Sequence, residues 1–182
     1  MATYRNTMKN LKTILLAIFA LMGSYSANAQ SKKFPNPSVA NKKTVYPLQF
    51  TDAQWRERLT KEQYYVVRQS GTERPFTGAY DHFKKKGTYY SVASHQPLFS
   101  SEHKFDSGTG WPSFYAVISP DAVKLVQDAS GSDDRWEVVD SMSGSHLGHV
   151  FDDGPSPTGK RYCMNSAALI FVPEGGAAPT AL

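Results

Sequence analysis

The stretch RYCMNSAALIFV, residues 161–172, contains two of the short β-prone runs that dominate this chain, at 161–165 and 167–172. Both runs are rich in aromatic or aliphatic residues and lie between turn-forming residues, which is typical of strands. Five more runs of this kind precede them, at residues 78–83, 87–94, 113–118, 136–140 and 149–152. Many short strands separated by turns predict a mainly β domain with antiparallel strands.

Three short helices are predicted beside these strands, at residues 51–59, 60–69 and 119–127. In the second helix, Thr60 and Gln63 have the spacing of a capping box. In the third, Ser119 is a cap and Pro120 occupies the first helical position. The expected fold is therefore mainly β, with short N-terminal helices and one short inserted helix.

The first 29 residues have the features of a cleavable signal peptide. Three basic residues precede an apolar stretch at 13–23, TILLAIFALMG, and Ala27-Asn28-Ala29 offers a small-x-small cleavage pattern. The apolar stretch is about half as long as the ~20 residues that a transmembrane helix needs. We therefore expect a cut after Ala29 and a secreted or periplasmic protein without a membrane anchor.

The rest of the chain is nearly neutral, because this leader holds three of the 20 basic residues and none of the 16 acidic ones. A balanced charge gives no reason to expect nucleic acid as a partner. Composition divides the remainder into three parts: a linker or arm at 30–48, a domain at 49–173 and a disordered tail at 174–182.

The chain has one cysteine, Cys163, which excludes disulfides within the chain and cysteine-rich metal sites. In a strand, one face would carry Arg161, Cys163 and Asn165, and the other Tyr162 and Met164. A guanidinium near a thiol favours the thiolate, which is the nucleophilic form. A buried, inert cysteine is the alternative, and this segment alone leaves both open.

Two histidines lie in the segment GSHLGHVFDDGP, residues 144–155. His146 and His149 are three positions apart, so a regular strand would separate them, but a bend at Gly148 would bring both to one site. Beyond the bend, alternation places three side chains on one face: His149, Phe151 and Asp153. Such a group suits proton transfer. A metal site, for which His-x-x-His alone is a weak signal, and a structural histidine in a turn are the alternatives.

The segment GTGWPSF, residues 108–114, places Trp111 between flexible glycines and the rigid Pro112. A loop of this kind holds an indole at a surface, where it forms an apolar wall for a small ligand. The alternative is a tryptophan that covers the hydrophobic core.

Together these segments resemble the B-type methionine sulfoxide reductases, which reduce the R epimer of methionine sulfoxide. The resemblance runs from about Leu59 to Pro173. It rests on four motifs in order: GTERPFTGAY (71–80), PLFSSEHKFDSGTGWPSF (97–114), HLGHVFDDGP (146–155) and RYCMNSAALIF (161–171). It implies a fold of two antiparallel sheets, of the β-tent type, with the active site on an open face.

The resemblance also implies a role for each matching residue. Catalytic roles fall to six residues: Cys163, His149, His146, Asn165, Arg161 and Asp153. Substrate binding falls to Trp111, which would pack on the methyl group of the substrate, and to Phe151. We favour His149 as the proton donor to the sulfoxide oxygen. Cys163 would attack sulfur and become a sulfenic acid, which an external thiol must reduce.

Many members carry zinc on two CxxC pairs, but this chain has other residues at all four matching positions: Ser91, Ser94, Asp140 and Ser143. Hydroxyls and a single carboxylate do not form a tetrahedral zinc site of that type, so no zinc and no other cofactor is expected. Thr109 stands where some members have a resolving cysteine. A thioredoxin-like protein or a small thiol would therefore reduce the sulfenic acid directly.

Two other functions fit parts of the sequence. A non-catalytic β module would use the Trp111 pocket to bind methionine sulfoxide or another small ligand, although the intact Cys163 argues against it. A cysteine hydrolase or acyltransferase would need an oxyanion hole, for which the sequence has no clear signature.

Overall fold

The computed structural model describes residues 34–128, 135–180 and 182. The predicted signal peptide, residues 1–29, lies outside these residues. Within the part of the chain that is described, no helix is both long enough and apolar enough to cross a membrane.

Two α-helices precede the strands: α1 (Asp52–Arg58) and α2 (Lys61–Gln69). Each begins with a reciprocal capping box, in which Thr51 pairs with Gln54 and Thr60 pairs with Gln63. These side chains satisfy backbone groups that the start of a helix leaves unpaired. The helices predicted at 51–59 and 60–69 are confirmed.

The described residues form two antiparallel sheets. One sheet has three strands: β1 (Gly87–Ser91), β2 (Pro97–Ser100) and β9 (Leu169–Pro173). The other has six: β3 (Lys104–Phe105), β4 (Ser113–Phe114), β5 (Val123–Gln127), β6 (Trp136–Asp140), β7 (His146–Phe151) and β8 (Arg161–Met164). The strand orders are β2-β1-β9 and β3-β4-β8-β7-β6-β5. The predicted mainly β fold of two antiparallel sheets is confirmed.

Aromatic side chains from both sheets meet in the core. Phe99 on β2 stacks on Phe114 on β4 with 4.4 Å between ring centroids, and Tyr89 on β1 meets the same ring edge-on at 5.0 Å. Tyr162 on β8 lies 5.9 Å from Phe99. Since side chains alternate along a strand, burial of Tyr162 in this core turns Cys163 to the opposite face of the six-stranded sheet.

The third predicted helix, at 119–127, is wrong. Residues up to Ala122 form a turn, in which Ala122 N–H bonds to the Ser119 carbonyl, and Val123–Gln127 is strand β5, paired with β6. The local cap and proline pattern is outweighed by pairing with β6 and by the complete burial of Val123.

The strand predictions need two corrections: one predicted strand is absent from its place, and two observed strands were not predicted. The run at 78–83 forms turns, and its aromatic residues pack beside the core, with Tyr80 5.4 Å from Tyr89 between ring centroids. Strands β2 and β3 fall in a stretch for which no strand was predicted.

The segment before α1 behaves as an arm along the sheet. Val39 forms a parallel bridge to Leu125 on β5, and two backbone hydrogen bonds of 2.8 and 3.0 Å join Ala40 and Ser38 to Leu125. The arm thereby covers the edge of the six-stranded sheet, which would otherwise present unpaired backbone groups.

Candidate active site

Cys163 lies in the middle of the six-stranded sheet, on β8. Its neighbours in register are Ser113 on β4 and His149 on β7. Tyr162 and Met164 are buried while Cys163 is only partly buried, so the alternation predicted for this strand is confirmed. The thiol therefore lies on the open face of the sheet and not in the core.

A β-bulge in β7 brings the two histidines together. Val138 pairs with Gly148 and Val139 pairs with His146, so one residue between them, Leu147, is extra. A bulge of this kind changes which face the following side chains take. The rings of His146 and His149 are 5.4 Å apart as a result, so the predicted approach of the two histidines is confirmed, while the irregularity lies at Leu147 and not at Gly148.

Glycine is required at 148 because β8 passes very close to it. A Cβ atom at this position would lie 2.1 Å from the carbonyl oxygen of Cys163. The absence of a side chain thus lets the histidine strand approach the cysteine strand.

Each histidine is held by a carboxylate. Glu137 on β6 accepts a 2.7 Å hydrogen bond from Nδ1 of His146, and Asp128, just after β5, accepts a 3.1 Å bond from Nε2 of His149. Arg135 pairs with the same Asp128 oxygen at 3.5 Å. These contacts fix which ring nitrogen carries hydrogen in each neutral imidazole.

None of these three charged residues was predicted from the sequence. Glu137 has a local signal, because it is a charge among the aromatic and aliphatic residues of β6. Asp128 and Arg135 are brought together by the pairing of β5 with β6, and nothing in the local sequence marks them.

A pocket opens over the thiol. Its lining residues are Thr72, Trp111, Arg135, Gly148, His149, Phe151, Cys163, Met164 and Asn165. Five of the eight predicted site residues are therefore brought together around one space: Cys163, His149, Asn165, Trp111 and Phe151. The other three do not line it, since His146 packs beside His149 while Arg161 and Asp153 pair with each other.

Glu73, another residue that the sequence analysis missed, positions both Trp111 and Asn165. Its carbonyl accepts a 3.1 Å hydrogen bond from the indole of Trp111, and its N–H donates to Oδ1 of Asn165 at 3.0 Å. Its buried carboxylate accepts from the N–H groups of Ser166 and Ala167 at 2.7 and 2.9 Å.

The amide of Asn165 is consequently fixed in orientation. Its Oδ1 accepts from Glu73, and its Nδ2 donates to the Leu147 carbonyl at 3.1 Å. An amide nitrogen has two hydrogens, so a second donor remains. Asn165 also lines the pocket.

Burial raises the pKa of the Cys163 thiol, and this is the largest influence on it. The Arg161 guanidinium acts in the opposite direction, as expected, and hydrogen bonds from Thr109 and Ser113 assist it. Arg161 itself makes two 2.8 Å hydrogen bonds to Asp153. The expectation that Arg161 favours the thiolate is correct in sign, but it does not overcome burial.

Burial also lowers the pKa of His149, and the charge of Arg135 lowers it further. The hydrogen bond to Asp128 acts against this shift. In the free protein the thiol and the imidazole are therefore both predominantly neutral near pH 7.

A family model described as SelR domain matches residues 59–173. The chain belongs to the family of B-type methionine sulfoxide reductases. It is 59% identical over 124 residues to the peptide methionine sulfoxide reductase MsrB of Methanosarcina barkeri, across 68% of this chain and 87% of that protein. It is 50% identical over 139 residues to methionine-R-sulfoxide reductase B3, mitochondrial, of Mus musculus, across 76% of this chain and 54% of that protein. The resemblance inferred from the four motifs is confirmed.

The four positions matched to the zinc cysteines of many family members lie together in this chain. We call them the serine–aspartate cluster: Ser91, Ser94, Asp140 and Ser143. All four are buried. Ser94 Oγ donates a 2.5 Å hydrogen bond to Oδ2 of Asp140, and this bond joins the turn after β1 to the turn after β6.

The two turns of the cluster are built alike. Ser91 Oγ accepts from the N–H groups of Ala93 and Ser94 at 3.1 and 3.2 Å. In the same way, Oδ1 of Asp140 accepts from the N–H groups of Met142 and Ser143, at 2.7 and 3.0 Å. Hydrogen bonds therefore join the two turns at the four positions that the resemblance assigns to zinc cysteines. Three hydroxyls and one fully hydrogen-bonded carboxylate do not fit zinc.

Thr109, at the family position of a resolving cysteine, lies beside the nucleophile. Its Oγ1 is 3.9 Å from Cys163 Sγ. Within the described residues, no group of three or more His, Cys, Asp or Glu side chains is placed to hold a metal ion.

Proposed function

We propose that this protein reduces methionine-R-sulfoxide, free or within proteins, to methionine. The observation that carries the proposal is the placement of Cys163 in a pocket that Trp111 walls, with His149 directly opposite on the next strand. An indole suits the methyl group on the sulfoxide sulfur, and a thiol beside an imidazole suits attack with proton donation.

In the proposed reaction, the proton of the Cys163 thiol passes to His149, and the resulting thiolate attacks the sulfoxide sulfur. His149 donates a proton to the sulfoxide oxygen, because an unprotonated oxide is a poor leaving group. The oxygen, now a hydroxyl, passes to Cys163, and methionine leaves with its sulfur reduced. Cys163 becomes a sulfenic acid and His149 becomes neutral. The free N–H of Asn165 supports the oxygen as it gains negative charge.

The sulfenic acid must then be reduced from outside the chain, because Cys163 is the sole cysteine. An external thiolate attacks Cys163 sulfur and forms a mixed disulfide, and the oxygen leaves as water. A second thiol releases Cys163 and becomes part of the external disulfide. A thioredoxin-like protein or a small thiol is the proposed reductant.

Steady-state turnover tests this function. The mature chain is incubated with dithiothreitol and either the R or the S epimer of a capped methionine sulfoxide, beside the Cys163→Ser variant. We expect methionine from the R epimer only, and none from the variant. Binding of the sulfoxide without turnover by the unaltered chain would instead identify a non-catalytic binding module.

We also propose that the serine–aspartate cluster works without zinc. The support is chemical, since its donors are hydroxyls and one carboxylate, and both carboxylate oxygens already accept hydrogen bonds. Metal analysis of the purified protein tests this proposal. We expect far less than one equivalent of zinc, and one tightly held equivalent would contradict it.

Export is proposed on sequence grounds alone. The basic start, the apolar stretch at 13–23 and the small-x-small pattern before Gln30 support cleavage after Ala29. N-terminal sequencing of the protein recovered from its producing cells tests this. A mature protein beginning at Gln30 outside the cytoplasm is expected, and an intact Met1 terminus would contradict it.

A further inference from the structure

Three hydroxyl groups form a continuous row that ends at the sulfur of Cys163. Thr109 Oγ1 lies 3.9 Å from Cys163 Sγ and 2.8 Å from Ser107 Oγ. Ser107 Oγ lies 2.8 Å from Ser113 Oγ, which in turn donates to the Trp111 carbonyl at 3.2 Å. The row therefore runs from the thiol, through three side chains, to a backbone acceptor.

The positions of these hydroxyls are set by the fold. Ser113 is fully buried and pairs in register with Cys163 across β4 and β8. Thr109 lies between Gly108 and Gly110, which have φ of 69° and 91°. The carbonyl of Gly110 accepts a 2.8 Å hydrogen bond from Phe76 N–H, and this bond anchors the loop that holds Thr109 next to the sulfur.

The number of hydrogens dictates the direction of the row. Each hydroxyl has one hydrogen, and a thiol also has one. With Cys163 as a thiol, S–H donates to Thr109, Thr109 to Ser107, Ser107 to Ser113, and Ser113 to the Trp111 carbonyl. Every hydrogen then has an acceptor.

With Cys163 as a thiolate, the sulfur only accepts, so the row must reverse. Thr109 then donates to sulfur, Ser107 donates to Thr109, and Ser113 donates to Ser107. The thiol proton passes to His149, each hydroxyl keeps its own hydrogen, and only the Trp111 carbonyl loses its side-chain donor. The row therefore accommodates both protonation states of the nucleophile by rotation of three hydroxyls.

We propose that Thr109 is a catalytic residue that donates a hydrogen bond to the Cys163 thiolate, and that Ser107 and Ser113 are positioning residues for its hydroxyl. The proposal deepens the proposed function and rests on it for the role of Cys163 as nucleophile. Hydrogen bonds to a charged acceptor are stronger than those between neutral groups. The hydrogen bond with Thr109 therefore stabilises the thiolate more than it stabilises the thiol, which lowers the pKa of Cys163.

On the β4 side of the thiol, hydroxyl groups are the hydrogen-bond donors to the thiolate, because the charged and titratable groups lie on β7 and on β8 itself. Arg161 lies on the same strand as Cys163, and His149 faces it from β7. From β4 the facing residue is Ser113, which does not titrate near neutral pH. The hydrogen bond between Thr109 and the sulfur acts to lower the pKa of Cys163, against the effect of burial.

Alkylation of Cys163 tests the proposal without any sulfoxide. Because the chain has one thiol, the rate of iodoacetamide labelling against pH reports the pKa of Cys163 alone. The variants are Thr109→Val, which keeps the shape and removes the hydroxyl, and Thr109→Ser, which keeps the hydroxyl. Thr88→Val, on β1 of the other sheet, is the control.

In Thr109→Val we expect the pKa of Cys163 to rise by about one unit, and the rate of methionine formation in a single turnover to fall about tenfold at pH 7. Thr109→Ser and Thr88→Val should match the unaltered protein. Ser107→Ala should raise the pKa of Cys163 by a smaller amount. In this variant Thr109 can still donate to the sulfur, but its hydroxyl no longer accepts a hydrogen bond from Ser107.

An unchanged labelling profile in Thr109→Val would overturn the proposal, and so would a Thr109→Ser variant that behaves like Thr109→Val. If Thr109→Val does not fold, Thr109→Ala and Ser107→Ala decide by the same criteria. Loss of the proposed function is a separate outcome, since a protein inactive on the R epimer still gives a labelling profile.

Discussion

The serine–aspartate cluster and the Cys163 pocket are two regions where cysteines serve other members of the family, and they differ in how their polar groups are used. In the cluster, each side-chain oxygen has a hydrogen-bond partner within the fold, and Asp140 alone accepts from Ser94, Met142 and Ser143. At the Cys163 site, the ring nitrogen Nε2 of His146 is buried without a hydrogen-bond partner among the described residues. Of the two N–H groups on Nδ2 of Asn165, one donates to the Leu147 carbonyl and the other has no partner among the described residues.

This difference separates stability from chemistry. Buried polar groups are normally paired, because an unpaired one loses its hydrogen bonds to water without replacement. The cluster obeys this rule completely, so its role is to hold two turns together. Next to the pocket, a buried ring nitrogen of His146 has no partner among the described residues, and unpaired polar groups of this kind are typical of a binding or catalytic site.

The largest effect is expected for Cys163→Ser. The change should abolish reduction of the R epimer, because a hydroxyl at this position is not a comparable nucleophile. The midpoint of thermal unfolding should stay close to that of the unaltered protein, since a partly buried sulfur is replaced by an oxygen of similar shape. Product formation and circular dichroism measure the two. A variant that retains a substantial rate would assign the chemistry elsewhere.

The opposite result is expected for Asp140→Ala. Removal of this buried carboxylate leaves several donors unpaired, so the free energy of unfolding should fall by about 2–4 kcal/mol. The kcat of the folded protein should change little, because the cluster does not line the pocket. Urea unfolding and steady-state assays at low temperature measure these quantities.

Asp121→Ala is the matched control for that variant, since Asp121 is an exposed aspartate in the turn before β5. It should unfold like the unaltered protein. A similar loss of stability in both variants would mean that the hydrogen bonds of the cluster contribute little.

A smaller loss is expected for Ser94→Ala, because the Gln96 side chain, which donates to Oδ1 of Asp140 at 3.0 Å, still joins the two turns. The free energy of unfolding should fall by about 1–2 kcal/mol, because one buried carboxylate oxygen loses its donor. Ser100→Ala, at the end of β2 and outside the cluster, provides a comparison for the loss of a serine hydroxyl. Equal stability of Ser94→Ala and the unaltered protein would contradict a cross-linking role for Ser94.

The sequence was sufficient for most of the pocket because the residues that line it lie in short continuous motifs. Strand alternation around Cys163 and the two capping boxes are local patterns. Glu73 was missed because it acts on Trp111 and Asn165 through contacts between segments distant in sequence. Asp128 was missed for the same reason.

The helix predicted at 119–127 failed for a related reason. Its cap and proline are local signals, whereas the strand at 123–127 is decided by its pairing with β6. Long-range strand pairing leaves no mark in a short window of sequence. The hydrogen bonds of the serine–aspartate cluster were likewise not visible in the sequence, because they form only when two turns meet.

The pH dependence of kcat/KM for the R epimer should show a wide plateau. Burial lowers the pKa of His149 and raises that of Cys163. The reactive pair, a Cys163 thiolate with a His149 imidazolium, holds the same number of protons as a thiol with a neutral imidazole. The fraction of protein in the reactive form is therefore constant between the two pKa values. The rate should fall only beyond them. A plateau narrower than the interval between the ordinary pKa values of histidine and cysteine, about 6.5 and about 8.5, would contradict these shifts.

The smallest effect is expected for Asp128→Asn, which should move the acid limb of that profile to lower pH by about one unit or less. The Asp128 carboxylate raises the pKa of His149, so its loss lets that pKa fall further. The alkaline limb, which reports Cys163, should stay in place. Movement of the acid limb to higher pH would contradict the assignment of that limb to His149.

A single turnover without reductant tests reduction by Cys163 alone most directly. Reduced protein is mixed with excess R epimer, and methionine and the sulfenic acid trapped on Cys163 are quantified together. We expect about one methionine and one trapped sulfenic acid per chain, in equal amounts, with neither formed from the S epimer. Methionine without a matching modification of Cys163, or equal methionine from Cys163→Ser, would contradict it.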